Sequence, residues 1–308
     1  MNEFVLGIDI GGTNLRMGTV TRSGELSFFE KMPSPPIITE NAVANLVSTV
    51  QTYLLKNTLK GCISAICIGV PSSVSKDKSF LYSSPNLLGL QNMDLGKEMT
   101  AALGIRTFID RDVNYLLAYD IAKLELDPAQ NKTILGFYIG TGLGNAVYLN
   151  GRLHSGKNGV AGELGHIPLY HENGVCGCGK RGCCETLCSG YHLADLVDTH
   201  FPDCEISAIF TKHSSDPLLV DFVDTLALPL ATEITLLDPD CVVLGGGVLQ
   251  MADFPLEQLL TAIRGYTRSP YPAGNLTFFF AEHSQACGVI GGAYTVFPLL
   301  DASAQENG

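Results

Sequence analysis

Positive charge is scarce in this chain. Its 308 residues hold 19 Lys and Arg against 31 Asp and Glu, a formal net charge of −12. A face that neutralises nucleic-acid phosphates needs the opposite balance, so no nucleic acid is expected as the main partner. The shortage does not exclude a nucleotide, because backbone N–H groups, helix N-termini and Mg²⁺ hold phosphates whatever the sign of the whole protein. Charged residues of both signs reach only 16%, yet no uncharged apolar run has the length of a membrane span. The first apolar stretch begins within a few residues of Met1, which leaves no room for a signal peptide. A cytoplasmic location is therefore expected. The chain also lacks G-x-x-x-x-G-K-[ST], which argues against a Walker-type NTPase. The run GTGLGN at 140–145 lacks the following helix and distant acid of a dinucleotide fingerprint.

What is present reads as a compact α/β enzyme, with 46% hydrophobic residues and 33 glycines, and the length suggests two domains sharing a cleft. FVLGIDI at 4–10 forms an apolar strand, GGTN a turn, and LRMGTV an alternating second strand. ELSFFEKM follows as a third strand, then a helix over 39–55 behind Thr39 as its cap. ISAICIGV at 63–70 is a buried strand that Pro71 stops. A polar excursion runs to about residue 90, followed by a helix at 94–103, a strand at 105–110 and a helix at 114–124.

From residue 134 the order starts again. FYIGTGLGNAVYL repeats the plan of GIDIGGTNLRMGTV, apolar strand, Gly/Thr turn and alternating strand, which predicts an internal duplication of one βββαβα unit. A helix at 216–237, strands at 241–247 and 275–283, a helix at 255–268 and a Gly-rich helix from 288 complete the second copy. The expected boundary is near 118, giving domains 1–118 and 119–287, with helix 288–308 returning to the first.

The densest chemistry lies at 162–185, GELGHIPLYHENGVCGCGKRGCCE. His166, Cys176, Cys178 and Cys183 form H-x9-C-x-C-x4-C, and three thiolates with one imidazole make a closed tetrahedral shell for a structural Zn²⁺. Cys184 is surplus to it. Disulfides are the competing reading, but Cys176 and Cys178 sit too close to pair easily and nothing else in the chain suggests an oxidising compartment. Cys62, Cys67, Cys241 and Cys287 lie in apolar runs and are expected in the core. Glu163 and Glu185 flank the array and are not needed by the metal. A zinc-bound histidine can only donate through its other ring nitrogen, and a fixed donor beside two carboxylates suits a sugar's hydroxyls. Solvated loop charges are the plainer reading of both glutamates.

Asp9 with Gly11, Gly12, Thr13 and Asn14 lets backbone approach a phosphate while Asp9 holds Mg²⁺, directly or through water. Thr141, Gly142 and Gly144 supply a second such turn. Either alone would read as a tight hairpin; the pair, in register with the duplication, reads as an ATP site. Gly246 and Gly247, after the strand at 241, could receive adenine or ribose, or serve helix packing instead. Phosphoryl transfer to an alcohol also needs a base. Asp112, at a strand end in RDVN, is the candidate, with a helix N-cap as the alternative.

These stretches together resemble the ROK (repressor, open reading frame, kinase) family, whose members have the duplicated ribonuclease H-like fold of actin-like ATPases and sugar kinases. IDIGGTN is similar to its first phosphate motif, IGTGLG to its second, AGELGH and CGCGKRGCCE to its sugar and zinc motifs, and VVLGGGV to its adenosine-side motif. The resemblance runs nearly end to end. It implies that Asp112 activates the sugar 6-hydroxyl, that Glu163, His166 and Glu185 hold hydroxyls, that Asn86 in SPNL approaches the sugar, and that Mg²⁺ accompanies ATP. It also implies a homodimer, since dimers are common in the family. One departure stands out: the family usually has Asn-Asp where this chain has Arg111-Asp112. RDVN, with SKDK and ETLCSG, resembles the D-allose kinase branch, and Arg111 is then expected to face the sugar and set its selectivity. A glucokinase or other hexose kinase is the alternative, and a non-catalytic sugar-sensing regulator the competing class. Repressors of the family carry an N-terminal helix-turn-helix, for which the start at the first strand leaves no room.

Overall fold

The computed structural model describes residues 4–84, 87, 89–127 and 129–306. It divides into two compact units: Met1–Leu126 with Ser155–Ala161 and Ser284–Gly308, and Asp127–His154 with Gly162–His283.

In the first unit, β1 (Phe4–Ile10), β2 (Asn14–Val20) and β3 (Leu26–Pro33) form an antiparallel meander, followed by α1 (Ala42–Lys56) and β4 (Ile63–Val70). A hairpin of β5 (Ser73–Val74) and β6 (Leu81–Ser83) precedes α2 (Leu95–Leu103), β7 (Thr107–Arg111) and α3 (Asp112–Lys123). The sheet order is β3-β2-β1-β4-β7, with β4 parallel to both β1 and β7. Strand alternation sends neighbours to opposite faces. Leu6, Ile8 and Ile10 pack with Leu46 and Val50 of α1 and Met99 of α2. Val5 faces the other way, against Tyr115 of α3 and Val289 and Val296 of the C-terminal helix, Cys287–Glu306. Gly7 shares that second face, and a Cβ there would run into Val289. The helix therefore lies close on the sheet and brings Gly288 against the Asp9 side chain.

The second unit carries β8 (Thr133–Ile139), β9 (Leu143–Leu149), β10 (Arg152–Leu153), α4 (Gly190–His200), α5 (Ile209–His213), α6 (Pro217–Leu237), β11 (Cys241–Gly245), α7 (Leu256–Tyr266) and β12 (Phe278–Phe280). Its order, β10-β9-β8-β11-β12, reproduces that of the first sheet, a meander followed by two parallel strands. This is the duplicated ribonuclease H-like plan. Helix α6 begins as its sequence dictates, with the Asp216 carboxylate accepting from Leu218 N–H at 3.0 Å and Pro217 in the first turn. Its apolar side buries Phe222, Leu226, Leu230 and Ile234 completely or nearly so, each such side chain contributing about 1.5–3 kcal/mol by burial.

Several boundaries differ from the sequence reading. Residue 118 falls inside α3, and the first unit runs on to Leu126, because an amphipathic helix offers no break in its period where a domain ends. Thr39 is not the cap of α1: Asn41 holds that position without a side-chain bond, and Thr39 Oγ1 accepts from Asn45 Nδ2 at 3.0 Å. The polar excursion after Pro71 hides β5 and β6, strands of two and three residues, too short for alternation to be read. The strand expected at 275–283 pairs only over Phe278–Phe280. Cys62 is half-buried while Cys67, Cys241 and Cys287 are buried. Among the described residues no helix is long and apolar enough to cross a membrane.

Candidate active site and metal centre

Asp9 ends β1 beside the first glycine turn, where Gly11 N–H donates to Asn14 O at 2.9 Å. No heavy atom lies within 4 Å of where a Cβ on Gly12 would stand, so the turn's backbone is open on that side. Burial and the neighbouring charge of Asp112 push the Asp9 carboxyl up to about 6, against the pull of Arg16. Arg16 faces Asp9 across the β1–β2 pair, its Nη1 3.1 Å from Asp9 Oδ2 and its Nε donating to Gln285 Oε1 at 2.8 Å. The structure thus gathers Asp9, the GGTN turn and Asp112, and adds Arg16. The period-two spacing of Asn14 and Arg16 and the antiparallel register of a tight hairpin were the signals that could have found it. A carboxylate between glycine amides and a second acid suits a hydrated Mg²⁺ with its phosphates.

Asp112 is the first residue of α3, not its cap. Arg111 takes the cap position in extended backbone (φ −64°, ψ 136°), and Asp112 Oδ1 accepts from Val113 N–H at 2.8 Å. Two residues before Asp112, the buried Asp110 carboxylate accepts from Arg111 N–H at 2.8 Å and Asn114 Nδ2 at 2.7 Å and pairs with Lys78. Asp110, Asn114 and Lys78 were not singled out in the sequence. A lysine 32 positions away in a polar loop carries no local signal that it reaches a strand end. Arg111 does not stand open at the surface: it is 6% exposed, and Nη1 donates to the carbonyl of Ala161 at 2.6 Å. Asn86 lies outside the described residues.

In the second unit His166, Cys176, Cys178 and Cys183 bring their ligand atoms within 4.8 Å of one another. A tetrahedral ion with sulfur ligands about 2.3 Å away has edges of about 3.8 Å. The Cys178–Cys183 sulfurs are 3.7 Å apart and Cys176 Sγ lies 3.6 Å from His166 Nδ1, so two of the six edges already have the length such an ion would impose. Cys184 points away, its thiol donating to Leu164 O at 3.1 Å. All ten cysteines are thiols. With Nδ1 turned to the sulfurs, His166 Nε2 faces Glu163, 3.6 Å from Oε2.

Glu185 is tied in more closely than a solvated loop charge. Its Oε2 accepts from Leu143 N–H at 3.0 Å, and a Cβ on Gly142 would collide with that oxygen. Glycine at 142 is therefore needed for the carboxylate to reach the second turn. The turn is held from its other side by the start of α4, whose Gly190 and Tyr191 N–H groups donate to Gly140 O at 2.8 Å and Thr141 O at 3.0 Å. Thr141, Gly142 and Gly144 are thereby assembled with Glu185, Glu163 and the metal cluster. Gly246 has φ +102°, and a Cβ would stand within the backbone of Ile139. Its role in the fold is close packing against β8. Gly247, by contrast, faces open space.

Two sheets of one strand order, each with a glycine turn after its first strand, define a duplicated α/β protein. Residues 5–297 match the model of the ROK family. The chain belongs to that family. It is 27% identical to a glucokinase of Halalkalibacterium halodurans, covering 96% of this chain and 95% of the relative. It is 30% identical to an N-acetyl-D-glucosamine kinase of Mannheimia succiniciproducens, over 83% of this chain and 88% of that one. Its fold matches that of a ROK family glucokinase from Streptomyces griseus, solved with glucose and AMPPNP, with a TM-score of 0.75 at 22% identity over 94% of this chain and 98% of that one.

Proposed function

We propose that the chain transfers the γ-phosphoryl group of ATP to the 6-hydroxyl of an aldohexose, with D-allose the preferred sugar. The observation that carries the reading is the placement of Asp112 beside Asp9, since Gly69 pairs with Asp9 in the sheet and a Cβ on it would stand 3.6 Å from Asp112 Cα, with an open glycine turn alongside. In the transfer, the sugar oxygen bonds to the γ-phosphorus as the bond from phosphorus to the bridging oxygen of ADP breaks. The hydroxyl proton passes to the Asp112 carboxylate. Charge in such a transition state is spread over the phosphoryl oxygens, so catalysis is mostly positioning and electrostatic stabilisation. Asp9 would hold Mg²⁺, which neutralises phosphate charge; Gly11, Gly12, Thr13, Asn14, Thr141, Gly142 and Gly144 offer backbone to the phosphates, and Gly247 offers it to the nucleoside.

Glu163, His166 and Glu185, with Asn86, are assigned to the sugar hydroxyls. His166 donates through Nε2, Glu163 accepts, and Glu185 acts through Oε1, which Cys176 Sγ approaches at 3.8 Å, since Leu143 engages its other oxygen. His166, Cys176, Cys178 and Cys183 would hold a zinc ion, which would supply structural cohesion and fix the histidine tautomer. D-Allose is placed first on the Arg111-Asp112 pair and its flanking motifs, while relatives at 27% and 30% identity are named for glucose and N-acetylglucosamine. The test is ADP release over allose, glucose, N-acetylglucosamine and mannose. The largest kcat/KM is expected for allose. A larger value for any other sugar transfers the specificity to it, and no turnover with any of them refutes the kinase.

A further inference from the structure

Arg111 connects the catalytic strand to a distant stretch of chain. Residues 155–161 run from just after β10 to the first residue of the AGELGH motif and belong to the first compact unit, although the chain on both sides of them belongs to the second. Three observations fix this strap. Ala161 N–H donates to Ser155 O at 3.2 Å and closes it into a loop. Gly159 lies at φ +95°, so near the hairpin that a Cβ would overlap the backbone of Val74, Ser75 and Lys76. The Ala161 carbonyl accepts from Arg111 Nη1 at 2.6 Å. The arginine is itself held: its N–H donates to Asp110, and Asp110 pairs with Lys78, on the hairpin whose backbone Gly159 touches.

We propose that Arg111 is a positioning residue that clamps this strap and so sets the placement of Glu163, two residues beyond Ala161. The inference rests on the assignment of Glu163 to the sugar. A charge-assisted bond to a carbonyl, buried with the arginine 6% exposed, restrains the strap at its last residue, from which Gly162 and Glu163 continue directly. A shorter, uncharged asparagine at this position would have neither the reach nor the charge to make this bond. Arg111 thus influences sugar affinity through Glu163 rather than by its own contact with hydroxyls.

A double-mutant cycle tests this on the full-length, zinc-loaded chain, with Arg111→Met and Glu163→Gln made singly and together. Sugar Kd is measured by calorimetry, and amide hydrogen exchange is followed over residues 155–162. Arg111→Met is expected to speed exchange in the strap and to weaken sugar binding by about tenfold, the worth of a hydrogen bond to a charged donor. In the Glu163→Gln background the same change should weaken binding by less than about twofold, since coupled residues do not add. Gly159→Ala, which lifts the strap without touching Arg111, should reproduce both effects. Equal losses in the two backgrounds, or unchanged exchange in Arg111→Met, overturn the clamp. A wild-type chain that binds none of the four hexoses overturns the kinase reading instead.

Discussion

Replacing Asp9 by asparagine tests whether the first glycine turn stores an electrostatic cost. An acid whose folded-state pKa is raised binds its proton more tightly in the folded chain. The stability conferred by that proton is fully present below the ordinary pKa and is lost as pH rises through the raised value. For Asp9 the window runs from 3.8 to about 6. At about 1.4 kcal/mol for each tenfold in proton affinity, ionised Asp9 costs the fold about 3 kcal/mol above the window. Asparagine keeps the shape and removes the charge, and the pull of the 3.1 Å ion pair with Arg16 is already contained in the raised value of about 6. The variant should therefore be more stable than wild type by about 3 kcal/mol at pH 8, with the difference gone by about pH 4. Urea unfolding of both chains without nucleotide or magnesium, across this pH range, measures it. A variant less stable at pH 8, or a difference independent of pH, would show that the Arg16 pair outweighs desolvation and would refute the reasoning. The same substitution should abolish ATP binding, the trade expected where a functional charge is held at the expense of stability.

Cys178→Ser should lose bound zinc and thermal stability together, because a closed four-ligand site contributes its binding energy to folding. Elemental analysis finding no zinc in active wild-type protein purified without chelator would refute this. Asp112→Asn should lower kcat by about 10²- to 10⁴-fold while sugar Kd stays within about tenfold. Retention of more than about a tenth of kcat would leave Asp112 as a helix-start residue only. Gly246→Ala should cost at least about 2 kcal/mol in urea unfolding, from left-handed backbone and overpacking against Ile139, and an unchanged midpoint would show that the loop relaxes easily.

The sequence by itself determined whatever depends on residues near one another in the chain. The four candidate metal ligands lie within a span of 18 residues, and short-range spacing with glycines between them constrains a loop strongly enough that His166, Cys176, Cys178 and Cys183 could be grouped and Cys184 set aside, as the structure groups them. The two sheets were legible for a related reason: period-two alternation and a Gly/Thr turn are local signals, and their recurrence exposed the duplication. Helices α4 and α5 and the β5–β6 hairpin were not legible, being short or weakly periodic. Only the tertiary structure decided the environments. Glu185 was expected beside a sugar, with a solvated loop charge as the alternative, and nothing local showed that it meets Leu143, 42 positions away, across a gap that exists only because residue 142 has no side chain. Arg111 looked like a residue directed at substrate, yet its guanidinium meets a carbonyl 50 positions on. Asp9 owes its raised pKa to burial and to Asp112, more than a hundred positions away. Desolvation and charge coupling depend on distance in space, which chain separation does not specify. The chemical types of the site residues could thus be read from the sequence, while the states and partners of those residues were set by the fold.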